Sequence, residues 1–415
     1  MKPKGHHIVL LLIMVGMLAG GACGWAFGEK MLAVKFLGDI FLNALKMMIV
    51  PLIVASMISG VASLGDVRRL GRTGLVTIGY YVVTTGVAVA IGMCLANVIK
   101  PGVGVTPVAQ ELPSMVGERT YTVVDVIVNM IPENVFAAAA ETNVLPLIVV
   151  SLVFGAILTT LGEKGRPVIK FFEGVNAAVL KLVYLVMMFA PVGVFALVAT
   201  KLGAAGGGEA FWGELYKLGK YAITVLAGLA IHGLVVLPLL LFVLGRRNPF
   251  RYAFNLLTAF ATAFSTASSA ATLPVTMRAV ETRNNVSNEA ASFVLPLGAT
   301  INMDGTALYE AVAALFIAQV YGIELTAAQQ LVIFFTATLA AVGAAAIPEA
   351  GLVTMVMVLT SVGLPVEGIG AILAIDWFLD RCRTTVNVWG DSVGAATVDR
   401  LEISRRATRD EVEEY

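Results

Sequence analysis

The sequence is poor in charge. Asp, Glu, Lys and Arg make up 13% of its 415 residues, about half of the roughly 25% usual in a soluble domain. It also lacks the polar linkers that two or three soluble domains of this total length would need. Lys plus Arg and Asp plus Glu both number 28. Net charge therefore gives no reason to expect a nucleic-acid partner, and none is expected. Cysteine is scarce: Cys23, Cys94 and Cys382 stand in apolar context without metal-ligand spacing, which argues against a cysteine-built metal centre. They read as small hydrophobes. No nucleophile motif stands out, so an enzyme is not expected.

What is abundant is apolar surface. Hydrophobic residues make up 58% of the chain, a level that only a bilayer tolerates. Apolar segments at or above the roughly 20 residues needed to span a bilayer fall near 8–27, 37–65, 74–99, 124–162, 168–200 and 212–245. The first, Ile8 to Phe27, follows Met-Lys-Pro-Lys and is too long for the apolar stretch of a signal peptide. The fourth is broken at Pro132-Glu133-Asn134, where proline ends or kinks a helix.

Basic residues sort by loop. Lys2, Lys4, Arg68, Arg69, Arg72, Lys164, Arg166, Lys170, Arg246, Arg247 and Arg251 fall after even numbers of spans, whereas Pro101 to Gly117 holds neither Lys nor Arg. The positive-inside rule places the former loops, and both termini, in the cytoplasm.

Beyond residue 250 the pattern changes. Phe254 to Met277 is interrupted at Ser265 to Pro274, and Leu331 to Leu359 at Gly343 to Gly351. Each half is too short to span, which predicts two re-entrant hairpins reaching mid-depth. Non-helical backbone persists there only where protein or a water-filled cavity satisfies it. Each hairpin precedes a long span with a polar interruption, Asn302 to Thr306 and then Asp380 to Asp391. The unit occurs twice in opposite orientation, as inverted repeats, and paired interrupted segments point to a transporter's midplane site. The fold expected is an all-α polytopic membrane protein with eight transmembrane helices and two re-entrant helical hairpins.

The last span carries the sharpest chemical signal. Asp376, Asp380, Arg383, Thr384, Asn387 and Asp391 recur at steps of three or four and share a helical face. A charge at the bilayer centre costs about 2.5–3.5 kcal/mol on insertion scales. Mutual pairing alone is a weak reason to retain such a set, because buried ion pairs are poor stabilisers. In Asn302-Met303-Asp304-Gly305-Thr306, Gly305 loosens the helix and Asn302 and Asp304 offer hard oxygen ligands. Glu310 stands in an apolar run, where desolvation favours the neutral carboxyl. It is a candidate proton carrier, or else a salt-bridged structural residue. Ser268 and Ser269, with Gly343 to Gly351, offer half-helix N-termini suited to a carboxylate, although small residues are equally normal at helix contacts.

Together, Ser268 to Pro274, Asn302 to Thr306 and Asp380-Arg-Cys-Arg-Thr-Thr-Val-Asn-Val-Trp-Gly-Asp391 resemble the glutamate transporter family, the dicarboxylate/amino acid:cation symporters. The resemblance implies that Arg383 pairs with a substrate side-chain carboxylate and Asp380 with its α-ammonium. Asn387, Ser269 and the second hairpin tip would hold the α-carboxylate, with Ser268, Thr306, Ile347, Gly351 and Thr384 nearby. It implies one sodium site at Gly298, Asn302, Asn387 and Asp391, and a second at Tyr81, Thr84, Thr85, Asn302 and Asp304. A third would use carbonyls near Val342, Ala344 and Met303.

Having both Arg383 and Asp380, the chain looks like a carrier of glutamate or aspartate coupled to sodium. Glu310 resembles the proton-carrying members, and the resemblance leaves potassium countertransport open. Arg381 with Ala267 looks like the animal-type arrangement. Departures fall at Ala341, Ala346 and Glu349, near the second hairpin tip.

The family's architecture is a homotrimer in the plasma membrane working by an elevator mechanism. Residues 1–72 (spans one and two) and 106–208 (spans four and five) would be scaffold. Residues 73–105 (span three) and 209–415 would be the transport domain: span six, hairpin 1 over 253–281, span seven over 287–320, hairpin 2 over 326–362 and span eight over 366–403. The alternatives are a proton- or sodium-coupled C4-dicarboxylate symporter, a substrate-gated anion channel, and an intramembrane hydrolase using Asp304 with Asp380 or Asp391.

Overall fold

The structure is a computed structural model. It describes residues 4–62, 71–104, 124, 127–128, 130–204, 208–343 and 350–413. Ala344, Ile347, Ala346 and Glu349 lie outside these residues.

The described residues form helices and turns, with no strand among them. The helices are α1 (Lys4–Phe27), α2 (Lys35–Met47), α3 (Ile49–Ala62), α4 (Gly71–Ile99), α5 (Val135–Ala140), α6 (Val144–Thr160), α7 (Arg166–Ala204), α8 (Gly208–Ile231) and α9 (Leu237–Val243). They continue as α10 (Pro249–Asn255), α11 (Leu257–Thr266), α12 (Ser269–Thr282), α13 (Asn288–Ile301), α14 (Asp304–Val320), α15 (Ala327–Gly343), α16 (Ala350–Ser361) and α17 (Ile369–Glu413). Among the described residues, five helical stretches are long and apolar enough to cross a membrane: Leu11–Ala62, Thr73–Ile99, Gly162–Ala204, Leu218–Val243 and Asn288–Val320.

The expected break in the fourth span is present. Pro132 precedes α5, and Asn134 caps that helix by accepting from the Phe136 and Ala137 amides at 2.8 and 3.2 Å. The cap satisfies two donors that would otherwise lack an intrahelical partner.

α1 packs along α7, and α2, α3 and α6 gather around the same pair. Small residues set the approach. A Cβ on Gly16 would sit 2.3 Å from the Pro191 carbonyl oxygen, and one on Gly20 would sit 2.6 Å from that of Phe195. Close backbone contact of this kind is how helices associate in lipid, where apolar burial alone gives no preference. α14 lies at the centre of the remainder, against α4, α8, α15, α16 and α17, and is buried along nearly its whole length. Leu18, Leu75, Phe189, Ile223 and Phe242 project from the outer faces as exposed apolar side chains, as expected of surfaces facing hydrocarbon.

The segment expected to be the first re-entrant hairpin folds as a helix pair. α11 has 10 residues and is about 15 Å long, half of the roughly 30 Å hydrocarbon thickness. Ala267 then takes the left-handed conformation at φ 48° and ends the helix. Ser268 caps α12, its Oγ accepting from the Ala271 amide at 3.2 Å. The second segment forms α15 and α16, and its tip falls outside the described residues.

The two long spans that follow differ from each other. Asn302 and Met303 do break the first, separating α13 from α14. The expected interruption at Asp380 to Asp391 does not occur, because α17 is one continuous helix of 45 residues. It contains no proline, and three of its hydroxyls are turned back on the helix's own carbonyls. Thr384 donates to Asp380 O, Thr385 to Arg381 O and Ser392 to Val388 O, at 2.8–2.9 Å. Polar side chains on one face of a helix do not by themselves break it.

Candidate functional site

α17 delivers its stripe to the protein interior. Arg383 is wholly buried. Its Nη2 donates to Asp380 Oδ1 at 2.7 Å and its Nη1 to Asp376 Oδ1 at 3.0 Å. The guanidinium also lies 3.8 Å from the ring centroid of Tyr309 on α14, within the range of a cation–π contact. Arg383 Nε has no hydrogen-bond partner among the described residues. A Cβ on Gly351, at the start of α16, would stand 3.2 Å from Arg383 Nη2. The guanidinium therefore sits against the start of α16.

The broken span meets α17 backbone to backbone. A Cβ on Gly305 would fall 2.7 Å from the Arg383 carbonyl oxygen, so only glycine permits this contact. The Gly305 amide donates to Asn387 Oδ1 at 2.8 Å, and Asn387 Nδ2 donates to Thr306 Oγ1 at 3.2 Å. The N-terminus of α14, whose orphan amides and dipole favour negative charge, is thus aimed at the polar face of α17. Hairpin 1 packs on α17 as well, with Ser268 and Ser269 buried at its tip.

Two oxygen-rich clusters lie farther along. In one, Asn302 Nδ2 donates to Asp391 Oδ1 at 2.9 Å and the Tyr81 hydroxyl donates to Val294 O at 2.8 Å. Gly298 lies between them: a Cβ there would meet both Asp391 Oδ1 and the Tyr81 hydroxyl at 2.5 Å. In the other, Thr85 donates to Asp304 Oδ1 at 2.7 Å, with Thr84 Oγ1 3.4 Å from the same oxygen and 3.5 Å from Asn302 Oδ1. Carboxylate, amide, hydroxyl and backbone oxygens packed this closely are the donor set of a hard cation. A small alkali ion fits them.

Most of the expected site residues are therefore gathered. Arg383 touches Asp380, Gly305 and Gly351, and Asn387 touches Gly305 and Thr306. Gly298, Asn302, Asp304, Asp391, Tyr81, Thr84 and Thr85 form the two clusters beyond them. Thr384, Ser268 and Ser269 are buried on elements packed together. Met303 is buried in the helix break and its carbonyl accepts from the Ala307 amide at 2.9 Å. Val342 lies near the end of α15, its carbonyl about 3.5 Å from where a Gly60 Cβ would stand. Arg381 bonds back to the Trp377 carbonyl at 2.8 Å and stacks over that ring.

Glu310 is wholly buried one helix layer away. It accepts from the Thr354 hydroxyl on α16, while its Oε2 has no hydrogen-bond partner among the described residues. No cation pairs with its carboxylate among the described residues, so the salt-bridged reading of Glu310 loses its partner.

Sequence reasoning missed His232. Its Nε2 lies 2.9 Å from Asp304 Oδ2, and both side chains are fully buried. The available signal was faint: one histidine in the apolar run Ile231-His232-Gly233-Leu234, six residues before Pro238. Asp376 was legible as part of the stripe, but its grip on Arg383 was not.

Opposed charges withdrawn from water and a helix broken at mid-length, its second half starting against the polar face of α17 within an apolar helical bundle, are the marks of a secondary membrane transporter. The chain belongs to the sodium:dicarboxylate symporter family, whose model matches residues 9–401. It is 41% identical to excitatory amino acid transporter 3 of Mus musculus, over 95% of this chain and 84% of that protein. It is 38% identical to a putative sodium-dependent excitatory amino acid transporter of Caenorhabditis elegans, over 96% of this chain and 91% of that protein. With excitatory amino acid transporter 1 of Ambystoma tigrinum it shares 38% identity, over 94% of this chain and 82% of that protein.

Proposed function

We propose that this chain is a sodium-coupled symporter of acidic amino acids, glutamate or aspartate. The observation that carries this reading is the buried Arg383–Asp380 pair, at 2.7 Å, beside Asn387 and the N-terminus of α14. An acidic amino acid presents three charges. Arg383 matches the side-chain carboxylate, bidentately. Asp380 matches the α-ammonium. Asn387, Thr306, Ser269 and the second hairpin tip match the α-carboxylate. A C4-dicarboxylate has no cation to satisfy Asp380.

Sodium is a co-substrate in this reading. Asp391, Asn302, Asn387 and the Gly298 carbonyl would hold one ion, and Asp304, Asn302, Tyr81, Thr84 and Thr85 a second. Carbonyls near Val342, Ala344 and Met303 would hold a third. The unpaired Oε2 of Glu310 supports a proton as a further co-substrate, and potassium is the counter-ion to test. The close packing of α1, α2, α3, α6 and α7 supports a scaffold of those helices in a homotrimer. The remaining helices would move as a transport domain in an elevator mechanism, in the plasma membrane with both termini cytoplasmic.

Uptake of labelled aspartate into proteoliposomes tests the reading. Accumulation should require an inward sodium gradient and be competed by glutamate but not by succinate. Accumulation indifferent to sodium would sink the coupling, stronger competition by succinate would sink the amino acid assignment, and substrate-gated current without accumulation would point to a channel.

A further inference from the structure

The sixth span is not a uniform helix. Between α8 and α9 the residues His232–Val236 form a π-turn, in which the Leu237 amide reaches back to His232 O. In an α-helix that amide would serve the Gly233 carbonyl. The next amide in line belongs to residue 238, which is proline and has no N–H. The Gly233 carbonyl is therefore left out of the helix ladder, inside a buried region where polar backbone needs a partner. Its partner is the Trp389 side chain on α17, whose Nε1–H donates to Gly233 O at 2.9 Å.

The same turn carries His232, the residue before Gly233, whose Nε2 reaches Asp304 Oδ2 at 2.9 Å. The Trp389 ring meanwhile packs against hairpin 1. It meets Phe260 of α11 edge to face, with centroids 5.7 Å apart, and Tyr252 of α10 at 5.9 Å. Trp389 also adjoins Gly390, where a Cβ would stand 3.0 Å from both Asn302 Nδ2 and Asp304 Oδ2. One indole thus touches the bulged helix and the first hairpin, and lies next to the Asn302–Asp304 cluster.

We propose that Trp389 is a positioning residue for cation binding: by taking the carbonyl that Pro238 leaves unpaired, it holds the π-turn that fixes His232 on Asp304. π-Turns inside α-helices are commonly found at functional sites, and outer partners of ion ligands set ligand orientation and affinity. The inference rests on the reading of Asp304 as a sodium ligand. A bland alternative is that Trp389 only fills space and its N–H merely finds the nearest acceptor.

The test uses the purified full-length chain. Two quantities are read: the sodium concentration giving half of the ion-induced rise in Tm, and the half-saturating sodium for aspartate uptake in proteoliposomes. Trp389→Phe keeps a ring and removes the donor. Both concentrations should rise about tenfold, the lower end for loss of an outer partner, and Trp389→Phe should add nothing in a His232→Gln background. Pro238→Ala supplies an amide that competes for Gly233 O with the indole intact, and should shift both quantities the same way. A lower Tm or uptake rate with unchanged half-saturating sodium would overturn the proposal, as would additive effects of Trp389→Phe and His232→Gln. Asp304→Asn separates the two levels of failure. If it leaves half-saturating sodium unchanged, the sodium reading of Asp304 fails and the proposal with it. If it shifts that value while Trp389→Phe does not, only the role of Trp389 is lost.

Discussion

Arg383 and Asp380 are joined across one turn of α17, Nη2 to Oδ1 at 2.7 Å, with Asp376 holding the other Nη at 3.0 Å. The residue matched to a substrate carboxylate is thus held by carboxylates of its own helix. In the proposed function, the side-chain carboxylate of an arriving acidic amino acid would compete with them for the guanidinium, while its α-ammonium would relieve Asp380. Removing one partner of such a buried pair is far costlier than the pair's net worth.

Arg383→Cys is therefore expected to abolish aspartate uptake while sparing some binding of neutral amino acids. The substitution also leaves Asp376 and Asp380 without their cation, so expression is checked alongside transport. Competition of labelled substrate by aspartate and by serine reads the change. Unchanged aspartate affinity would refute the assignment.

Gly298→Ala should weaken sodium binding more than any other single methyl addition in the site. Its Cβ would stand 2.5 Å from both Asp391 Oδ1 and the Tyr81 hydroxyl, and something must shift. A tenfold rise in half-saturating sodium corresponds to about 1.4 kcal/mol, and a shift of at least that size is expected in uptake titrations. Wild-type sodium dependence would place the ion elsewhere.

Glu310→Gln keeps the shape of the side chain and its acceptor for Thr354 but removes the titratable proton. Uptake of the variant should be flat across the pH range over which the parent varies. A pH profile that survives the substitution counts against Glu310 as the proton carrier.

Asp399→Asn tests a different kind of contact. Asp399 accepts from Arg247 Nη2 at 2.9 Å and from the Ser287 amide at 3.1 Å, and Arg247 also donates to the Asn284 and Asn285 carbonyls. The pair is partly open to solvent on the arginine side, which lowers its worth. Hydrogen bonds to a charged group contribute roughly 1.5–3 kcal/mol each, so a loss of about 1–3 kcal/mol is expected. A fall in Tm of the purified protein reads it, with little change in half-saturating sodium. An unaltered Tm would show the contact to be dispensable.

Much of the fold was legible because the bilayer leaves few solutions. Long apolar runs become helices, and the small and polar residues of Ser265 to Pro274 marked a hairpin whose turn falls at Ala267 and Ser268. Asn302 and Gly305 marked the true break. The stripe from Asp376 to Asp391 misled as to backbone, since side-chain polarity and helix interruption are separate properties and α17 has only the first. The grip of Asp376 on Arg383 spans two turns of one helix, where side-chain reach and not spacing chooses the partner. The reach of His232 and the capture of Gly233 by Trp389 join residues 72 and 156 positions apart on different helices. Those last two contacts depend on how helices are rotated against one another, which spacing along one helix does not encode.

The continuity of α17 has a mechanical consequence. Arg383 and Asp399 are 16 residues apart on one proline-free helix, hence about 24 Å apart at 1.5 Å per residue. No proline and no break in the helix lies between them. A tilt imposed at Arg383 is passed along the helix to Asp399, and through Arg247 and the Ser287 amide to the root of the first helix pair. The unbroken helix is a lever arm that couples its two ends.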